Sequence, residues 1–317
     1  MIKRSLIIAA LALAGTHAGA APQQQAHPVR RAPASASSEV EVSRIKLRTG
    51  VELTVAQAGP RDGMPVLFLH GYTDSWHSYE LVLDRLPPGV RAIVPTQRGH
   101  GDSEQPACCY GIPELAADGV ALLDALGVDR AVVVGHSMGS FVAQRIAAEH
   151  PKRVTKLVLI GSGNTLKTPV VAELNDAIQT LTDPVMPPDF VRDFQTSMVR
   201  QMPPASFMAL VIEESGRMPA RVWRAMLAAL LRSDADTPGE RITAPVLVVW
   251  GDRDEVFPRS SQDSLLASLR EGRLIVYEDT GHSPHWEYPA RFVEELAAFI
   301  DDKPYAAKPD AGTTARQ

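Results

Sequence analysis

Two cysteines in 317 residues cannot build a disulfide framework or a four-thiolate zinc site. Aromatic residues are sparse, at 6%, and the formal net charge of −5 leaves no basic excess of the kind nucleic-acid binding uses. No apolar run reaches the length needed to cross about 30 Å of hydrocarbon; even residues 5–15 fall short. Internal repeats, phosphate-cradling glycine loops and metal-ligand clusters are also missing, so no metal or cofactor is expected. What is present is 45% hydrophobic and 22% charged residues, a globular composition. The chain is long enough to bury a full core without covalent staples.

The two ends read differently from the middle. Met1-Ile2-Lys3-Arg4, the short apolar run 5–15 and Ala18-Gly19-Ala20 have the layout of a secretory signal peptide over residues 1–20. Cleavage after Ala20 removes Lys3 and Arg4 and takes the net charge from −5 to −7. The expected mature protein is exported, periplasmic or secreted, with no membrane span. Residues 21–39 are rich in Ala, Pro, Gln and Ser and read as a disordered leader, and residues 303–317 as a flexible tail.

Between the ends, two β-like segments at 40–47 and 51–57 meet at Thr49-Gly50, which predicts a hairpin. Short apolar runs follow at 66–69, 92–95, 131–134, 156–160, 246–250 and 274–277. Amphipathic stretches at 76–86, 113–126, 138–150, 259–269 and 289–300 separate them. Buried runs alternating with helices predict an α/β fold, a mostly parallel sheet of about eight strands with helices on both faces. Residues 163–241 break the rhythm: helical, rich in Pro, and without a β-run. This predicts a helical cap inserted into a core of residues 40–162 and 242–302. The cap holds six of the nine methionines, Met186, Met198, Met202, Met208, Met218 and Met226. Met suits both an adaptable ligand surface and a seal onto the sheet, and both roles stay open here.

The chemistry concentrates at Gly135-His136-Ser137-Met138-Gly139, between a predicted strand and a predicted helix. A sharp strand-to-helix turn lifts the serine hydroxyl clear of the sheet, and glycines are needed where side chains would strike neighbouring backbone. A serine nucleophile requires a base. Of the nine histidines, His282 follows the final apolar run and lies at the carboxyl edge of the sheet, where Ser137 also lies. His285 is the alternative, unless it packs at the start of the last helix. His136 is expected to point elsewhere from the turn, and His70 and His100 to hold their glycine-flanked loops. The base requires an orienting acid. Gly251-Asp252-Arg253-Asp254 offers two; Asp254 is favoured, because a carboxylate directly after a strand more often fixes the loop. Backbone N–H groups of Met138 and of Tyr72, in His70-Gly71-Tyr72, are the expected oxyanion donors.

Together with Arg98-Gly99-His100-Gly101-Asp102-Ser103, Gly281-His282, and Glu287-Tyr288-Pro289 followed by Phe292, these motifs resemble the capped α/β-hydrolase superfamily from about residue 40 to 300. The resemblance implies the triad Ser137, Asp254, His282 in that chain order, with Asp254 as the acid of a G-x-x-D turn. It implies a serine hydrolase whose partner is a small to medium apolar ester or lactone, through an acyl-enzyme. Haloperoxidase or perhydrolase, carbon–carbon bond hydrolase and proline aminopeptidase chemistry use the same triad in this superfamily. A non-catalytic binding protein is the remaining alternative. Cys108-Cys109 depart from the pattern. A bond between such neighbours joins Cα atoms only about 3.8 Å apart, below the usual range of about 4.4–6.8 Å. Two thiols and a vicinal disulfide both remain open.

Overall fold

Apolar runs with residues buried on both sides need cover on both faces, and the computed structural model, which describes residues 39–182, 184–233 and 239–303, shows how they obtain it. The strands are β1 (Glu41–Lys46), β2 (Glu52–Ala58), β3 (Met64–Leu69), β4 (Val90–Pro95), β5 (Ala131–His136), β6 (Val154–Ile160), β7 (Val246–Gly251) and β8 (Gly272–Tyr277). They form one eight-stranded sheet in the order β1-β2-β4-β3-β5-β6-β7-β8. Only the pairs β1–β2 and β2–β4 are antiparallel. The first is the hairpin, turned at Gly50 with φ +90°. The signal segment and leader, through residue 38, and the tail from residue 304 lie outside the described residues.

Every residue of β5 and β7 is buried, and alternate residues enter opposite cores. Leu67, Val133, Leu157 and Val248 pack on one face; Phe68, Val134, Val158 and Val249 pack on the other. The helices are α1 (Glu80–Leu83), α2 (Ile112–Ala125), α3 (Met138–Glu149), α4 (Pro169–Gln179), α5 (Pro188–Ser197), α6 (Ala205–Arg217), α7 (Ala220–Ser233), α8 (Arg259–Ser268), α9 (Pro284–Glu287) and α10 (Pro289–Ile300). Helices α2, α3 and α8 cover the first face, and α1 and α10 the second.

The stretch predicted as one helix over 76–86 is a 3₁₀ turn, Trp76–Tyr79, followed by the single turn α1. Pro87-Pro88 follow it, and a residue before proline is pushed out of helical geometry. Helices α4 to α7 occupy the interval between β6 and β7. Thr168 starts this insertion, its Oγ1 accepting from Val171 N at 3.3 Å with Pro169 in the first helical position. Val171 and Leu174 of α4 and Trp223, Met226 and Leu227 of α7 join the core on the α2–α3 face. Cys108 and Cys109 form a disulfide across a Cα–Cα distance of 3.8 Å, on an exposed loop. Among the described residues no helix is long and apolar enough to cross a membrane.

Candidate active site

Ser137 lies between β5 and α3 with φ 50° and ψ −120°, a conformation non-glycine residues avoid. The flanking glycines make that turn feasible. A Cβ on Gly135 would lie 2.3 Å from Gly139 O, and one on Gly139 would lie 2.1 Å from Leu69 O. Met138 opens α3, so its N–H belongs to the first helical turn, whose amides lack intrahelical partners and favour negative charge.

His282 follows β8 by a short loop and is almost fully buried. Its Nδ1 lies 2.9 Å from Asp254 Oδ2. The other carboxylate oxygen of Asp254 accepts from Val256 N at 2.8 Å and Phe257 N at 3.0 Å, which fixes the acid in its loop. Asp252 does something different. It accepts a long 3.4 Å bond from Thr280 N and lies beside Arg253, so it braces the loop and does not meet the histidine. Two glycines seat the histidine: a Cβ on Gly161 would lie 2.5 Å from His282 O, and one on Gly251 would lie 2.1 Å from Gly281 O.

The other histidines divide by surroundings. His285 is fully buried in α9 between the rings of Tyr79 and His136, and burial pushes its pKa down to about 3. His70 Nε2 accepts from Gln97 N at 2.9 Å, and His100 Nδ1 lies 3.0 Å from Arg98 O, so both hold their loops. His136 corrects an expectation: it does not point away but forms part of the cavity wall, its Nε2 3.3 Å from the carbonyl of His282. Burial, with His285 and His282 nearby, keeps its pKa well below the usual value and the ring neutral.

Ser137, Met138, Tyr72 and His282 border one cavity with about 710 Å³ of empty space, open solvent at its mouth included. His282 is bonded to Asp254, but no hydrogen bond runs from Ser137 Oγ to the ring; such contacts tighten when substrate is bound. The Tyr72 side chain is turned to the insertion, its hydroxyl donating to Trp223 O at 2.6 Å and its ring edge-on to Phe194 and Trp223. The remaining wall is largely apolar: Leu166, Val171 and Leu174 near α4, Leu227 and Leu230 on α7, and Phe257 after β7. Of the six methionines in the insertion only Met198 reaches the cavity. Met186, Met208, Met218 and Met226 are buried in packing, and Met202 is exposed.

Residues 64–289 match the family described as alpha/beta hydrolase fold. The chain belongs to this family. Among its relatives, the hydrolase is 30% identical to a non-heme chloroperoxidase of Streptomyces lividans, over 79% of this chain and 96% of that protein. It is 26% identical to a 2-hydroxymuconate semialdehyde hydrolase of a Pseudomonas species, over 84% and 96% of the two chains. Its fold superposes on an esterase from Exiguobacterium antarcticum with a TM-score of 0.73 at 23% identity, covering 82% and 99%.

Reasoning from the sequence passed over Asp74 and Gln195 in this hydrolase. Both are buried and both line the cavity. Asp74 is two residues beyond Tyr72, and that nearness was the available signal. Gln195, on α5, gave none, since its place depends on how the insertion folds back.

Proposed function

We propose that this chain is an exported serine hydrolase that cleaves small to medium apolar carboxylic esters, lactones included. The observation that carries the reading is the 2.9 Å contact of His282 Nδ1 with Asp254 Oδ2, on an apolar cavity shared with Ser137. In this scheme Ser137 Oγ attacks the ester carbonyl while His282 Nε2 takes its proton, and Asp254 stabilises the imidazolium. The carbonyl oxygen becomes an oxyanion held by the Tyr72 and Met138 amides. Collapse breaks the bond to the alcohol, which leaves with the proton from His282. Water, deprotonated by the same ring, then attacks the acyl-enzyme and releases the acid. Hydrogen peroxide in place of water would give a peracid, and the chloroperoxidase relative favours keeping that second reading.

A panel of p-nitrophenyl esters of rising acyl length, run beside lactones, proline amides and a peroxide-dependent halogenation assay, tests the proposal. Ester or lactone turnover should dominate, and a fluorophosphonate probe should label Ser137. Halogenation exceeding ester cleavage would favour the second reading, and absence of labelling would overturn both. Export is supported by the basic start, the short apolar run and Ala18-Gly19-Ala20. N-terminal sequencing of the mature protein should begin at Ala21.

A further inference from the structure

Three residues on the cavity wall take no part in acyl transfer: Asp74 after β3, His136 at the end of β5, and Gln195 on α5. Core and insertion therefore meet there. All three are almost wholly buried, at 3%, 2% and 1% exposure. The orientation of Gln195 is set by its partners. Its Nε2 donates to Asp74 Oδ1 at 3.0 Å and to Ser215 Oγ at 2.5 Å, and only the amide nitrogen can serve a carboxylate. Its Oε1 is then an acceptor, and it has no partner.

His136 repeats the pattern. Its Nε2 faces the His282 carbonyl at 3.3 Å and the Ser283 hydroxyl at 3.4 Å; the tautomer that serves the carbonyl carries its hydrogen on Nε2 and leaves Nδ1 as a bare acceptor. That nitrogen also has no partner, and it lies 3.9 Å from Asp74 Oδ2. The carboxylate oxygen accepts a long 3.3 Å bond from Ser78 Oγ, and the Gly71 backbone also bonds the carboxyl. Two acceptors facing each other at this distance repel unless a donor serves them, and buried acceptors without donors are costly. The Asp74 carboxyl accepts from Gln195, Ser78 and the Gly71 backbone, and burial still outweighs these bonds and lifts its pKa to about 6, so a further donor would favour its charged form. The rest of the cavity wall is mainly hydrocarbon, so the unmet acceptors are confined to one place.

We infer that Asp74, His136 and Gln195 form an acceptor-only subsite that takes a hydrogen-bond donor, an amino or hydroxyl group carried by the substrate away from its reacting carbonyl. The inference rests on the ester reading only in calling the ligand a substrate. The competing view is that these residues tie the insertion to the core and recognise nothing.

Binding to the full-length Ser137→Ala variant separates the two without any turnover. Dissociation constants would be measured by ligand-observed NMR for hexylamine, hexan-1-ol and methyl pentyl ether, which are similar in length; the ether can accept but not donate. At least one of the amine and the alcohol should bind about tenfold more tightly than the ether. Preference for the amine identifies an ammonium partner and preference for the alcohol a hydroxyl; either supports the subsite. Asp74→Asn and Gln195→Leu, each added to Ser137→Ala, should reduce the preference to less than about threefold. Equal binding of all three ligands overturns the inference before any further variant is made. A preference that survives in both variants, with folding verified by circular dichroism, overturns its placement. Wild-type enzyme that cleaves no ester would defeat the ester reading and leave this binding result standing.

Discussion

Ser137 is held at positive φ by a turn that tolerates no side chain at Gly135 or Gly139, and it borders the cavity that His282 also lines. Ser137→Ala should therefore lower ester turnover by about 10⁶-fold, as loss of a triad nucleophile does. Steady-state rates check this, and near-wild-type turnover would remove the mechanism. Asp254 and Asp252 are separated by one residue but have different partners. Asp254→Asn should cost about 10⁴-fold in kcat, because an amide no longer holds the imidazole in the required tautomer. Asp252→Asn loses a long loop contact and should cost far less. A larger loss for Asp252→Asn would show the acid to be misassigned.

At the scale of elements, helices α4 and α7 shape the cavity and Tyr72 binds the insertion to the core. Buried acyl carbons contribute about 0.8 kcal/mol per CH₂, so kcat/KM should rise with chain length until the cavity is full and then fall. Leu227→Ala should move that optimum to longer acyl chains, and Leu174→Phe to shorter ones. A flat length profile, unmoved by either change, would make the insertion structural cover. Tyr72→Phe leaves the backbone donor in place but removes the hydroxyl bond to the Trp223 carbonyl, at a cost of about 1 kcal/mol. A melting point lower by about 2–4 °C is expected. An unchanged melting point would mean that this contact does not hold the insertion down.

The whole molecule should be sensitive to acid. His100 and His285 are pushed down to about 4 and about 3 by burial, and His70 and His136 also lie well below 6.5. Below pH 6.5 the unfolded chain takes up protons that these buried rings refuse, so stability rises with pH there. This contribution is complete above 6.5 and is lost as the pH falls toward 4 and 3. Asp74 has the opposite sign: raised from 3.8 to about 6, its folded form keeps a proton through that window, and stability from it declines as pH rises. Four histidines oppose two carboxyls, Asp74 and Glu287, the second also raised by burial, so the melting point should drop between pH 7 and pH 4.5. A flat or rising profile by differential scanning fluorimetry would show that these histidines protonate in place without penalty.

Much of this was legible in the order of residues, because the signals are local. Short apolar runs, the glycines around Ser137, and the turn Gly251 to Asp254 act through neighbours in the chain. They mark strands, a strained turn and a loop without knowledge of what lies across the sheet. The choice between Asp252 and Asp254 became a geometric fact only in the folded chain, where one carboxylate meets His282 and its neighbour meets Thr280. His136 was misjudged for the same reason: a turn sets where its backbone goes, but α9 and the His282 loop decide what its ring touches. Composition marked the insertion as rich in methionine but could not say that packing absorbs most of those side chains and that leucines, valines and phenylalanines form the wall. Asp74 and Gln195 are 121 residues apart, and only the return of α5 over the sheet edge brings them within a hydrogen bond. Local periodicity and turn chemistry are properties of the chain; which face of the insertion closes on the site depends on burying apolar area across long sequence distances, and tertiary packing alone decides that.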